Sequence, residues 1–510
     1  MTIFVNLDIT TMIPGVRRPP DLLPFVTVDR RTRTPLYRQI YDGYREAIVG
    51  GRLRPGQRLP STRALAAELG ISRIPVLGAF EQLLAEGYFE SRVGAGTFVA
   101  RSLPANLFDA GHREAVGGRK TRPGRRALPR NPGVPLRPPE PWLQGWGAFR
   151  VSQPAVERFP FAAWSRLLAR HCRNPRAALL HYGDPMGHRP FREAVAAYLR
   201  TARGVRGEAR QVMVVSGSQQ ALAITARVLL EPGDRVWVEE PGYGGARDAL
   251  MMAGARLVPV PVDDEGLDVA AGVAEGGKAR AAYVTPSHQY PLGVTMSASR
   301  RLQLLAWARR NGSWIIEDDY DSEYRYQSLP VAALQGLDHD GRVVYIGTFS
   351  KVLFPALRLG YLVVPPDLVD RFAAVREAMD VFPPSLPQAV FADFIEHGHF
   401  ARHIRRVRSL YRERRAALVE ALDRELGSMV EMVGDSAGMH LAVTLRKGMA
   451  DLEVAQHAAR LGLWTMPLSS CYLGKPSRQG FVLGYGGTST AEILPAVQRL
   501  RRVVAAVERR

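Results

Sequence analysis

Short apolar runs at 212–215, 235–238, 281–284, 313–316 and 343–346 alternate with helix-length stretches through the C-terminal part of the chain. Strands this short and apolar bury both faces, and a helix between successive strands lets them run parallel. The pattern therefore predicts an α/β body on a mostly parallel sheet. From about 366 the pattern turns chiefly helical, with strand candidates at 440–444 and 480–483, which predicts a smaller C-terminal subdomain. We assign this body to 141–510.

The N-terminal part follows another rhythm. Leu36, Ile40, Tyr44 and Ile48 recur every fourth residue and mark one face of a helix that stops at Gly50-Gly51. After a turn at Arg54-Pro55-Gly56, Ser61 is placed to cap a short helix carrying Leu65, Ala66 and Leu69 that ends at Gly70. Ser72 is placed to cap a third, which would bury Val76, Phe80, Leu83 and Leu84 before Gly87. Residues 88–99 read as two strands around Gly94-Ala95-Gly96. Three short helices and a glycine-tipped hairpin over 34–100 predict a winged helix-turn-helix. Residues 1–33 read as a loosely held extension, and 101–140, with nine basic and three acidic residues among many Pro and Gly, as an Arg/Pro/Gly-rich linker.

Charge supports this division. Residues 1–150 hold 23 Arg and Lys against 12 Asp and Glu, whereas 151–510 hold 45 against 37, so the basic excess concentrates at the N-terminal end. It points either to a solubilising charge or to a polyanion, nucleic acid first, which for a winged helix-turn-helix is double-stranded DNA. With 46% hydrophobic residues the 510-residue chain has ample material for two or three cores, which excludes disorder throughout. Cys172 and Cys471 are too few for a disulfide framework or a zinc site, and no metal site is expected. No apolar run has membrane-spanning length and the first thirty residues lack a basic leader region, so no membrane association and a cytoplasmic location are expected.

The words carry more than the pattern. Leu53-Arg54-Pro55-Gly56-Gln57-Arg58-Leu59-Pro60-Ser61-Thr62-Arg63-Ala64-Leu65-Ala66, Leu69-Gly70-Ile71-Ser72-Arg73, Ala85-Glu86-Gly87-Tyr88 and Gly94-Ala95-Gly96-Thr97-Phe98-Val99 closely resemble the GntR superfamily of bacterial regulators over about 34–100. By that resemblance the helix opened by Ser72 and Arg73 enters the major groove, while Arg63 and the wing residues Gly94, Gly96 and Thr97 hold the flanking backbone. Pro75 stands where members of that superfamily usually carry threonine, so a polar contact is lost.

Lysine is scarce, occurring only at 120, 278, 351, 447 and 475, which makes Lys351 in Gly347-Thr348-Phe349-Ser350-Lys351 conspicuous. A pyridoxal-phosphate site needs an amine to form the imine, an acid for the ring nitrogen, a stacking partner and anion-binding groups. Lys351 supplies the amine for the Schiff base, and arginine could not replace it. Asp318, at the end of a strand run, is the candidate for the ring nitrogen, Tyr320 for the ring hydroxyl and Tyr243 for ring stacking. Arg358, Thr348, Ser350 and the turn Gly217-Ser218-Gln219 are candidates for the phosphate.

Order and spacing of these words, with 181–187 and 285–293, resemble fold-type I aminotransferases of the class I/II kind over nearly all of 141–510. The resemblance implies a homodimer in which Tyr182 touches the cofactor phosphate of the partner subunit. Both halves in this order resemble the MocR/GabR branch of the GntR superfamily, which implies a regulator that holds pyridoxal 5'-phosphate and senses a small amine, an amino acid or the cofactor itself. Two departures stand out: Tyr290 where ordinary aminotransferases usually have asparagine, and Val482 where they present an arginine to the substrate carboxylate. Either Arg247 serves a carboxylate instead, or the effector is not an amino acid. Efficient transamination becomes less expected, although a partial reaction stays open. The competing expectations are a working aminotransferase with an accessory DNA-binding module, and a DNA-binding protein whose C-terminal body is only a dimerising scaffold.

Overall fold

The computed structural model describes residues 26–92, 94–101, 140, 145–276, 278–326, 331–434, 437–446 and 449–508. The expected linker, apart from Arg101 and Glu140, and the extension up to residue 25 lie outside them. The chain divides into two compact units, one ahead of residue 129 and one after it.

In the first unit, helices α1 (Leu36–Val49), α2 (Thr62–Glu68) and α3 (Arg73–Ala85) precede an antiparallel hairpin of β1 (Phe89–Arg92) and β2 (Gly96–Val99). Three rings knit helices to wing: Tyr44, Phe80 and Phe89 meet edge to face at centroid distances of 5.6, 5.4 and 5.0 Å. Ser61 caps α2 as expected, its hydroxyl accepting the Ala64 N–H at 3.1 Å. Ser72 sits at the equivalent place on α3 without a side-chain capping bond. The reason is Pro75, the third residue of that helix, which has no N–H to donate. Val76, Phe80 and Leu83 are buried as expected, while Leu84 is half-buried.

The second unit is built on an eight-stranded sheet ordered β3-β10-β9-β8-β7-β4-β5-β6. Its strands are β3 (Val212–Val215), β4 (Arg235–Glu240), β5 (Arg256–Asp263), β6 (Gly266–Leu267), β7 (Ala281–Val284), β8 (Trp314–Asp319), β9 (Val343–Thr348) and β10 (Gly360–Val363). Strands β9, β8, β7, β4 and β5 are parallel, and β10 and β6 run against their neighbours. Successive residues bury on opposite faces, as a doubly covered sheet requires: Val236, Val238, Tyr283 and Ile316 in one cluster, Trp237, Ala282, Val284 and Ile315 in the other. On the second face Trp237 stacks on Trp307 of the helix Ala298–Asn311, with ring centroids 4.0 Å apart.

Beyond 366 the chain is helical but not wholly so. A four-stranded antiparallel sheet, ordered β11 (Val430–Val433), β12 (His440–Leu445), β14 (Gly480–Gly484) and β13 (Met466–Pro467), packs on the helices His399–Leu426 and Thr490–Glu508. Among the described residues no helix is long and apolar enough to cross a membrane.

Candidate functional site

A cavity of about 130 Å³ opens beside the strands β7, β8 and β9, lined by Ser152, Ser218, Gln219, Tyr243, Tyr283, Thr285, Tyr290, Asp318, Tyr320, Thr348, Ser350, Lys351 and Arg358. Lys351 follows β9 directly, and its Nζ lies 3.5 Å from the Ser152 carbonyl. Burial pushes its amine down to about 8, against the opposing pull of Asp321 and Asp318.

Strand alternation decides which carboxylate of Glu317-Asp318-Asp319-Tyr320-Asp321 faces the cavity. Glu317 accepts the N–H groups of Leu334 and Gln335 at 2.8 Å each, and Asp319 pairs with Arg203 at 2.8 Å and accepts the Tyr345 hydroxyl. Asp321 faces His288 Nδ1 at 3.1 Å. Asp318 points the other way, accepts the Tyr283 hydroxyl at 2.9 Å on one oxygen, and has no partner among the described residues for the other. Burial raises its carboxyl to about 7.

Arg358 adopts a left-handed backbone, φ 49°, and brings its guanidinium against Gly217. Gly217 has φ 101°, and a Cβ there would sit 3.3 Å from both terminal nitrogens of Arg358. A side chain there would be strained by the left-handed backbone and would press on the guanidinium. The helix Ser218–Leu229 starts at this point, so its free N–H groups and the arginine converge with Thr348 and Ser350. Ser350 donates its backbone N–H to the Thr348 hydroxyl at 3.2 Å, and its own buried hydroxyl lacks a partner among the described residues.

Tyr243 accepts from Gln219 Nε2 at 3.1 Å and meets Tyr290 edge to face at 5.7 Å. The Tyr320 hydroxyl lies 3.1 Å from His288 Nδ1. His288, Asp321 and His440 form a buried group within 4.8 Å that is already engaged internally: His288 with Asp321 and Tyr320, His440 Nε2 with the Pro291 carbonyl at 3.1 Å. Ser152, Tyr283 and Thr285 line the cavity without having been singled out as site residues from the sequence. Tyr283 reads as one more buried residue of an apolar strand, and Ser152 reaches the site from a segment remote in sequence.

Two expected residues lie elsewhere. Tyr182 is 87% exposed and outside the cavity lining, meeting the Phe382 ring at 5.8 Å. Arg247 is buried but does not line the cavity: one of its terminal nitrogens meets Glu240 at 2.8 Å and the Cys471 carbonyl at 2.6 Å. Its guanidinium is engaged inside the fold, away from the residues that line the cavity.

In the first unit Arg63 and Ser72 are exposed, and Arg73 is exposed with its Nε donating to the Thr62 hydroxyl at 3.0 Å. Gly94 and Gly96 have φ of 76° and 106° and stand exposed at the wing tip with half-buried Thr97 close by.

A half-buried lysine amine, a carboxylate oxygen without a partner among the described residues and an anion cradle at a helix start fit pyridoxal 5'-phosphate. Together with the winged helix-turn-helix, fold and site define a DNA-binding regulator carrying an aminotransferase-type, cofactor-binding body. Residues 36–99 match the bacterial regulatory proteins of the gntR family, and 156–500 match aminotransferase class I and II. The probable rhizopine catabolism regulatory protein MocR of Rhizobium meliloti is 42% identical over 484 residues, covering 95% of this chain and 96% of that protein. The pyridoxine biosynthesis transcriptional regulator PdxR of Corynebacterium glutamicum is 31% identical, covering 89% and 92%. Among solved structures, the α-aminoadipate aminotransferase LysN of Thermus thermophilus, complexed with N-(5'-phosphopyridoxyl)-L-leucine, superposes with a TM-score of 0.67 at 29% identity over 72% of this chain and 94% of its own. The chain belongs to the MocR/GabR branch of the GntR superfamily, and it is a transcription regulator.

Proposed function

We propose that this regulator reports a primary amine to DNA through pyridoxal 5'-phosphate held at Lys351. The observation that carries the reading is the pairing, in one cavity, of Lys351 with an Asp318 oxygen that has no other partner among the described residues. When bound, the cofactor supplies an aldehyde that condenses with amines. Lys351 offers its amine to that aldehyde, and the lowered pKa keeps a useful fraction uncharged near neutrality. Asp318 holds a proton at the ring nitrogen, and Tyr283 keeps its carboxylate oriented. Arg358, Thr348, Ser350 and the amides at Gly217, Ser218 and Gln219 take the phosphate, Tyr243 covers the ring face and Tyr320 serves the ring hydroxyl.

The effector we favour is an amine without a carboxylate. Lys351 and Arg358 are the only cationic residues lining the cavity among those described, and both have duties toward the cofactor. Val482 lies buried in an apolar cluster with Leu292, Val294 and Leu468, where an unpaired carboxylate would be strongly disfavoured. The high exposure of Tyr182 supports its service to the cavity of a second copy, hence a homodimer with two DNA-binding units. Arg63, Arg73 and the wing at Gly94, Gly96 and Thr97 then meet phosphates, with Ser72 opening the groove-facing helix. DNA placement changes only if the amine prefers one arrangement of the dimer over another.

The test is to add the cofactor to purified protein and follow the band near about 420 nm, reduce with borohydride, and map the modified residue. The expected result is modification of Lys351 and loss of the band in Lys351→Ala, with amines shifting both the spectrum and DNA binding. A colourless protein leaves only the scaffold reading. Sustained product formation from amino donor and keto acid would favour the enzyme instead.

A further inference from the structure

After Arg73, α3 reads Ile74-Pro75-Val76-Leu77-Gly78-Ala79-Phe80, seven residues without a side-chain hydrogen-bonding group, and the next polar side chain is Glu81. Val76, Ala79 and Phe80 turn into the core. Ile74 is exposed, and Leu77 and Gly78, one turn on, are half-buried. Ile74 is 78% exposed, more than any other large apolar side chain described in the N-terminal unit. A Cβ built on Gly78 would find nothing nearer than Tyr37 Cβ at 4.0 Å, so the backbone there leaves room for close approach.

A single exposed isoleucine is ordinary in itself. Its place is what matters. It occupies the first turn of the helix that membership of the superfamily directs to DNA, next to exposed Arg73, in a unit whose residues 26–101 hold 12 arginines against seven acidic residues. The major-groove edge of every base pair presents hydrogen-bonding groups, and the 5-methyl group of thymine is the one apolar feature among them. A helix face with neither donors nor acceptors cannot replace the water that it would strip from a polar base edge, and leaving such groups unpaired is unfavourable. Against a thymine methyl the same face loses nothing and removes apolar surface from water.

We propose that Ile74 selects a thymine in each operator half-site by contact with its methyl group, with Leu77 extending the apolar surface. Arg63 and Arg73 contribute phosphate affinity, and the identity of that base pair is read through shape and apolar contact. The threonine-to-proline departure at Pro75 fits this arrangement, since it removes a polar group from the same turn and stiffens the backbone that presents Ile74.

The operator is first obtained by selecting a randomised duplex library with the full-length, cofactor-loaded protein. Each enriched thymine is then replaced singly by deoxyuridine, which keeps every hydrogen-bonding group and lacks only the methyl. At one position per half-site the replacement should weaken binding by about three- to fivefold, the worth of one buried methyl. Ile74→Ala should bind the thymine and uracil duplexes equally, with an unchanged dependence on salt, and Ile74→Val should retain part of the discrimination. Ile74 is exposed, so these variants should melt like the parent. Uniform tolerance of uracil in the parent, or an undiminished uracil penalty in Ile74→Ala, overturns the proposal while leaving DNA binding itself intact.

Discussion

Tyr283 donates its hydroxyl hydrogen to one oxygen of Asp318 at 2.9 Å, and the other oxygen has no hydrogen-bond partner among the described residues. The tyrosine thus fixes the plane of the carboxylate. Asp318→Asn keeps the shape and removes the charge, so cofactor affinity should fall by about ten- to a hundredfold, the range of a charged hydrogen bond. Tyr283→Phe should cost about 1 kcal/mol, because orientation is lost and charge is retained. Titration of apo protein followed by absorbance measures both, and equal effects would contradict the division of roles.

The cofactor-free protein should lose stability as pH rises. Burial raises Glu239, Glu317, Asp318 and Glu323 each to about 7, well above their unfolded values near about 4. Between those limits the folded chain binds more protons than the unfolded one, so unfolding free energy falls with pH. Lys351, lowered to about 8, acts in the opposite direction only above that pH. Thermal melts of apo protein should therefore give a higher Tm at pH 5.5 than at pH 7.5. A Tm that rises over that interval would show that these carboxyls are already ionised at pH 5.5.

These buried acids also explain where sequence reading stopped short. The run expected at 313–316 is the strand Trp314–Asp319, whose last three residues are acidic and buried. Apolar periodicity cannot register a carboxylate whose partners come from distant segments, such as Arg203 for Asp319 or Leu334 for Glu317. Strand β5 escaped because it contains Pro259 and Pro261, tolerable where, among the described residues, its only other neighbour is the two-residue β6. The runs at 212–215 and 281–284 coincide with β3 and β7, since strands buried on both faces are legible by composition alone. The word ending at Lys351 pointed to the cavity because its lysine is chemically irreplaceable. Ser152 carried no such signal, being placed only by tertiary folding.

DNA affinity should separate the two arginines. Arg63→Ala and Arg73→Ala, each removing a phosphate contact, are expected to weaken binding about uniformly across sequences and to reduce the salt dependence by about one counterion apiece. Arg73 is additionally steered by the Thr62 hydroxyl at 3.0 Å. Thr62→Val should therefore reproduce part of the Arg73→Ala loss without altering the salt slope. Binding isotherms at several salt concentrations distinguish the cases, and an unaffected Arg73→Ala removes this residue from the interface.

Arg247 should matter to folding and not to effector choice. Its guanidinium is buried against Glu240, which also accepts the backbone N–H groups of Leu473 and Gly474 at 2.7 and 2.9 Å. Removing one member of a buried ion pair leaves an uncompensated charge, so Arg247→Ala should lower stability by about 3–5 kcal/mol. Denaturant unfolding reads the loss. A variant of parental stability with a changed preference among amines would restore the receptor role that its position argues against.

Effector choice should instead respond at Val482. This residue sits on β14 in register with Met466, whose sulfur lies 3.1 Å from the hydroxyl of the cavity residue Tyr290. Its neighbours Phe481 and Leu483 turn the other way, into the core of the small sheet. In the parent, an amino acid and the amine left by its decarboxylation should differ, the amine shifting the cofactor spectrum at lower concentration because its apolar end desolvates without leaving a buried charge. Val482→Arg should invert that order if the variant still captures cofactor, since a guanidinium on this face can form a paired contact with the carboxylate. If the parent prefers the amino acid, a cation outside the described lining must serve the carboxylate, and the amine-only reading fails while the covalent one at Lys351 stands.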